Sequence, residues 1–320
     1  MIDGLRRVVE ESVKRLGTVV AETGQQVVRR YRGARLGVDT DISVKETEDA
    51  AGGADVDRQA WAVRGGGERT PPVGVTPPLM SVDQFLAGLR DGERSGVPEM
   101  RTPAYMVAGN NQTDLFVYPN GFEVIQKVGL PPMKQSAEIL AAAVGRAIGA
   151  PVAPVIAGAE GSLLMQRLPG RTVPGTPSDP GACEAMEAIK NTPGARKLGL
   201  LDVLVRNWDR PNNWLRHGDD IYGYDHAESF REDRDFDPGS NPFSSHYGVP
   251  GVPGSGRWNE WTPNDLSRTE LDRYEAEITA LRPLFEEHAR LDWATEAQPL
   301  AWHDDVLSRV ARLREHATRP

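Results

Sequence analysis

The sequence predicts an α+β fold of two lobes, a small β-rich lobe followed by a helical lobe. Three observations predict it. Pro119-Asn120-Gly121 lies between two β-prone runs, Asp114 to Tyr118 and Phe122 to Val128, and an Asn-Gly pair in that setting is a strong hairpin signal. A helical run over 134–149 follows, then strands at Val152 to Ala157 and Ser162 to Gln166, before Leu168-Pro169-Gly170 breaks the chain. Beyond that break the long periodic runs are helical.

Each element has its own warrant. Residues 1–32 read as one amphipathic helix, because Ile2, Leu5, Val9, Val13, Leu16, Val20 and Val27 recur at three- and four-residue steps. That stripe suits packing on its own domain, self-association or partner binding. Residues 33–78 carry Gly52-Gly53, Gly65-Gly66-Gly67 and Pro71-Pro72 with little periodicity, and read as a flexible linker. Ser81 with Gln84 forms a capping-box pattern that opens a short helix to Leu89. Ala104 to Val107 reads as a strand. In the 134–149 helix, Ile139, Leu140, Ala143, Val144, Ala147 and Ile148 form an apolar face and Gly149 ends it.

The β-rich lobe therefore spans 79–167 and the helical lobe 168–320. In the latter, Ala182 to Ile189 and Lys197 to Val205 read as helices. Trp214 to Arg216 and Ile221 to Tyr224 read as short strands around Gly218-Asp219-Asp220. Residues 231–262 are a Gly/Pro/Ser-rich loop region. Ser267 to Glu270 is a capping box opening a helix to Glu287, and Trp302 to His316 is a final amphipathic helix.

Bulk composition narrows the function classes. The 320-residue chain carries a net charge of −9, which repels phosphate backbones and argues against a nucleic-acid partner. The one cysteine, Cys183, excludes an internal disulfide and Cys-rich zinc sites, and fits a reducing, cytoplasmic compartment. No apolar run is long enough for a transmembrane segment. The histidines show no paired metal-site spacing, and no Gly-x-Ser-x-Gly nucleophile motif occurs.

The polar residues in the predicted elements fall into one chemical pattern. Phosphoryl transfer needs a cation on the nucleotide phosphates, a group to hold that cation, oxygen ligands for a metal, and a carboxylate facing the acceptor hydroxyl. Lys127 lies on the second hairpin strand and Glu138 in the next helix. Asp209 and Asn213 lie in a loop after an apolar helix, and Asp225 ends a short apolar strand. Plainer readings exist for each: an Asp209–Arg210 ion pair capping a turn, a solvent-facing Lys127 near Lys134, a surface Glu138, and Asn212 in place of Asn213.

Asp202 to Arg210, with Asn213-Trp214-Leu215, resembles the catalytic loop of the type II phosphoinositide kinases and the HipA-type kinases. Tyr222-Gly223-Tyr224-Asp225-His226, with Phe230, is similar to their metal-binding loop. The resemblance covers roughly 104–290 and is specific around 202–230. It implies a two-lobed kinase-like fold preceded by the N-terminal helix and linker, with ATP and Mg²⁺ as cofactors. It makes Asp209 the catalytic carboxylate and Asp225 and Asn213 the metal ligands. Lys127 becomes the phosphate-binding lysine with Glu138 as its partner. Leu163 to Leu168, with Gln166 and Leu168 beside the nucleotide, becomes the segment that holds the adenine. The acceptor would be a hydroxyl, on a protein in preference to a lipid or small molecule.

Two features depart from the family pattern. The family's metal-binding Asn lies five positions after the catalytic Asp, whereas 213 − 209 = 4 here. No Gly-x-Gly-x-x-Gly occurs, and Gly109 to Thr113 is the polar turn in the corresponding place. An active kinase, a silent nucleotide-binding module and a delivered effector carrying such a domain all fit these residues.

Overall fold

A computed structural model gives the architecture. It describes residues 79–101, 112–172, 192–207, 210, 213–230, 266–294 and 298–317. The helix expected over 1–32, the linker to 78, the strand at Ala104–Val107, the helix at Ala182–Ile189 and the 231–262 loop region lie outside the described residues.

Helix α1, Val82–Ser95, opens with Ser81 accepting from the Gln84 amide while the Gln84 side chain accepts from the Ser81 amide. It continues past Leu89 because its apolar face goes on burying: Phe85, Leu86, Leu89 and Gly92 all pack inward. Gly92 permits the close approach, since a Cβ there would lie 2.8 Å from the Tyr118 ring.

Strands β1 (Glu99–Arg101), β2 (Gln112–Val117), β3 (Glu123–Val128), β4 (Val155–Ala157) and β5 (Leu163–Gln166) form one sheet in the order β1-β2-β3-β5-β4. Every neighbouring pair is antiparallel. β1 was not evident in the sequence: three exposed residues carry no alternation. The β2–β3 turn closes with Gly121 at φ +84°, which glycine adopts without Cβ strain, and its amide donates to Tyr118 O at 2.8 Å.

The two sheet faces bury different partners, as a period of two requires. Phe116, Val124, Ile156 and Leu164 pack against α1. Leu115, Ile125, Leu163 and Met165 pack on the opposite face with Ile139 and Ala142. These last two belong to helix α2, Pro132–Ala147. Other α2 residues, Ala137, Leu140, Ala141 and Val144, enter a second core with the helices further along the chain. The helix is thus buried along two faces, not the single face its periodicity suggests. Ala143 and Ala147 remain partly exposed.

The second half begins with β6 (Arg171–Thr172) and α3 (Pro193–Val205), the latter capped by Thr192. β7 (Trp214–His217) and β8 (Asp220–Gly223) follow, and β6-β7-β8 make a small antiparallel sheet. A parallel bridge between Val152 and Gly223 ties it to the segment before β4. Helices α4 (Arg268–Thr279), α5 (Arg282–His288) and α6 (Gln298–His316) complete the α+β arrangement. The sequence suggested one helix to Glu287 where α4 and α5 lie. Pro283 has no amide to give the preceding turn, and the chain breaks at Ala280–Leu281 before restarting. From Leu198 onward α3 is buried among α2, α4, α6 and β8. Among the described residues no helix is long and apolar enough to cross a membrane.

Candidate functional site

The site gathers where α2, β3 and the loop after β8 meet. Lys127 lies two residues beyond Ile125 on β3, so its side chain shares the α2-facing side of the sheet; only 3% of it is exposed. An ammonium in such a place must find anions. Its Nζ lies 2.7 Å from Asp225 Oδ1 and 3.5 Å from Glu138 Oε2. Burial works against the charge, but Glu138 and Asp225 outweigh it and hold the ammonium above the usual lysine range.

Glu138 projects from α2 and is buried to 1% exposure. Burial pushes its carboxyl up from the usual carboxylate range, and Lys127 draws it back. Its Oε2 also accepts the His226 amide at 2.9 Å. One carboxylate oxygen therefore serves both the lysine and the backbone of the loop that carries Asp225. A second tie runs alongside it, from Lys134 of α2 to Glu228.

Asp225 keeps 30% of its side chain exposed and has φ +54°, a left-handed conformation uncommon outside glycine. The segment after it is fastened by Phe230. That residue's amide donates to Val205 O at 2.7 Å, and its ring stacks on Trp302 with centroids 4.9 Å apart.

Beneath the loop lies a fully buried guanidinium. Arg210 Nε donates to Asp202 Oδ2 at 2.9 Å and Nη2 to Asp202 Oδ1 at 2.9 Å. Nη1 donates to the carbonyls of Asn213 at 2.6 Å and Tyr224 at 3.0 Å. Nη2 also reaches His226 Nδ1 at 2.9 Å. Because arginine only donates, Nδ1 is the acceptor and the imidazole proton sits on Nε2. Burial, then Arg210 and Lys127, hold His226 far below its usual titration range, so the ring is neutral. Its buried Nε2 has no hydrogen-bond partner among the described residues.

The structure thus brings Lys127, Glu138 and Asp225 together. Asn213 sits one hydrogen bond away: its carbonyl accepts the Tyr224 amide at 3.1 Å. Gln166 ends β5, opposite Val124 of β3, and Leu168 follows it into the buried cluster that also holds Tyr222 and Ala227. The Gln166 side chain accepts the Met80 amide at 2.9 Å, and Leu168 is buried in the core under α2. Asp209, with Trp208, Pro211 and Asn212, lies outside the described residues.

The sequence offered no role for Arg210 beyond a turn-capping partner of Asp209. Its guanidinium engages Asp202. A signal was available: Asp202 is the one acidic residue in the apolar run Leu200 to Val205, and a carboxylate so placed requires a buried cation.

The donor set fits a hard divalent cation in part. Asp225 offers carboxylate oxygen at a partly open position, Asn213 an amide, and Mg²⁺ keeps several waters and phosphate oxygens of its own. Among the described residues no cluster of three or more His, Cys, Asp or Glu forms an all-protein cage.

No family model matches this chain, and no curated protein matches it in sequence. Several solved structures are similar to it at a distance. The Helicobacter pylori proinflammatory kinase CtkA aligns over 68% of this chain and 94% of its own, at 13% identity and a TM-score of 0.44. The Golgi casein kinase aligns over 74% and 77%, at 12% identity and a TM-score of 0.40. The HipA–HipB toxin–antitoxin complex of Shewanella oneidensis with its operator DNA aligns over 75% and 66%, at 14% identity and a TM-score of 0.33.

Proposed function

We propose that this protein is a kinase-type phosphotransferase that uses MgATP and transfers the γ-phosphoryl group to a hydroxyl, on a protein acceptor. One observation carries the reading: an ammonium on a strand, Lys127, is held between a helix carboxylate, Glu138, and a loop carboxylate, Asp225, at 3.5 and 2.7 Å. A simple structural ion pair needs one anion. Two carboxylates from separate elements, one of them partly open, make a cation aimed toward a position where phosphate oxygens and a metal could both be met.

In this reading Lys127 binds phosphate, Glu138 orients Lys127, and Asp225 with Asn213 holds the metal. Mg²⁺ supplies charge neutralisation on the phosphates when bound. Asp209 orients the acceptor hydroxyl, and the backbone around Gln166 and Leu168 holds the adenine. The net negative charge disfavours an anionic membrane as the acceptor surface.

The test is incubation with γ-labelled ATP and Mg²⁺, with and without cell extract, followed by locating the label. Label transferred to protein supports the reading, and absence of both transfer and Mg²⁺-dependent ATP binding refutes it. A second reading has one feature in its favour. The spacing from Asp209 to Asn213 is one residue shorter than in the kinases the loop resembles, which suits a module that binds nucleotide without turnover. Mg²⁺-dependent binding with no label transfer would select it.

A further inference from the structure

We infer that Arg210 is the positioning residue for the metal-binding carboxylate of Asp225, an inference that rests on the phosphotransferase reading. The geometry is specific. Asp225 sits in a left-handed conformation, which aspartate tolerates better than most residues but which still needs its neighbours to hold it in one orientation. The groups holding it lie on either side of Asp225. Arg210 Nη1 holds the carbonyl of Tyr224, the residue before, and Nη2 holds the imidazole of His226, the residue after. The same Nη1 holds the Asn213 carbonyl, and that carbonyl accepts the Tyr224 amide. Both candidate metal ligands are therefore indexed to one planar cation.

That cation is itself immobile. Its remaining donors go to Asp202 of α3, which is fully buried and also accepts from Asn207 Nδ2 at 3.1 Å. All five guanidinium N–H groups have acceptors. A lysine could satisfy Asp202 but cannot reach Asp202, Asn213, Tyr224 and His226 together, because an ammonium has three donors and no fork. A fully buried guanidinium needs an acceptor for every N–H, and the acceptors beyond Asp202 are drawn from the residues around Asp225. Here the two groups flanking Asp225 are engaged as well.

Two variants test this. Arg210→Lys keeps the buried charge and loses the fork. Gly223→Ala keeps Arg210 and displaces it, since the added Cβ would lie 2.6 Å from Leu198 Cδ2 and 3.0 Å from Arg210 Nη1. Affinity for a fluorescent ATP analogue is measured in Mg²⁺ and in EDTA, beside circular-dichroism melting. Affinity in EDTA is expected to stay near wild type in both variants. The tightening produced by Mg²⁺ is expected to fall about 10- to 100-fold in Arg210→Lys, the usual cost of losing a residue that orients a metal ligand. Gly223→Ala is expected to lose less, in the same direction. If Arg210→Lys does not fold, Gly223→Ala decides alone. A folded variant with the full Mg²⁺ effect overturns the inference and leaves the phosphotransferase reading standing. A wild-type protein with no Mg²⁺ effect overturns that reading, and the inference with it.

Discussion

Replacing Lys127 with Met isolates the electrostatics of the site from its chemistry. Lys127 and Glu138 are exposed by only 3% and 1%. After Lys127→Met, the Glu138 carboxylate keeps one protein donor, the His226 amide at 2.9 Å, and loses its cation. Removing one partner of a buried ion pair costs about 3–5 kcal/mol, because the other charge stays desolvated. Asp225 adds little to that cost, since its side chain is 30% exposed and water can replace the ammonium. At roughly 2–4 °C per kcal/mol for a folded unit of this size, melting at pH 8 should fall by about 10 °C.

The pH dependence gives the sharper reading. Burial already pushes Glu138 upward, and without Lys127 only the His226 amide still opposes the push. A carboxyl whose folded pKa exceeds its unfolded value binds protons preferentially in the folded state, so the deficit must shrink as pH falls. Thermal melts of wild type, Lys127→Met and the Lys127→Met/Glu138→Gln double variant at pH 8 and pH 5.5 measure this. The double variant should recover most of the loss at pH 8. A Lys127→Met protein that melts within about 2 °C of wild type at pH 8 would refute the reasoning. So would a deficit that grows on acidification.

Four other expectations follow from particular residues. Asp225→Ala should abolish the Mg²⁺-dependent part of ATP affinity, and calorimetry in Mg²⁺ and in EDTA checks it. Asp209→Asn should abolish label transfer while ATP binding stays near wild type; unchanged turnover would remove Asp209 from the catalytic role. His288, its Nδ1 2.8 Å from Ser136 Oγ, is pushed down to about 4 by burial. Its folded pKa lies below its unfolded one, so its stability contribution is complete above pH 6.5 and falls away toward pH 4. Unfolding free energies from urea titrations at pH 7.5 and 4.5 should differ by about 2–3 kcal/mol less in His288→Gln than in wild type. Gly145→Ala in α2 would set a Cβ 2.8 Å from Val152 Cγ2 and 2.9 Å from Leu201 Cδ2. Overpacking of about 1–3 kcal/mol should outweigh a helix-propensity gain of about 1 kcal/mol, and urea unfolding should show net destabilisation.

What the sequence determined by itself is local. The capping boxes at Ser81 and Ser267 and the turn at Gly121 each depend on a few consecutive residues, and they stand in the structure as their sequence patterns require. The β3 strand and the α2 helix follow from period and length, so Lys127 and Glu138 could be assigned to neighbouring elements before any coordinates. Tertiary structure decided the rest. That α2 serves two cores follows from its position between sheet and helices, which a single apolar stripe cannot encode. That Glu138 Oε2 receives both Lys127 and the His226 amide depends on a contact across 88 residues of chain. That Arg210 turns to Asp202 and grips the residues on either side of Asp225 depends on α3, the loop and β8 converging at one point. Sequence patterns report which surface a residue prefers to bury. Only packing sets which charges must share that buried space, and so which of them must pair.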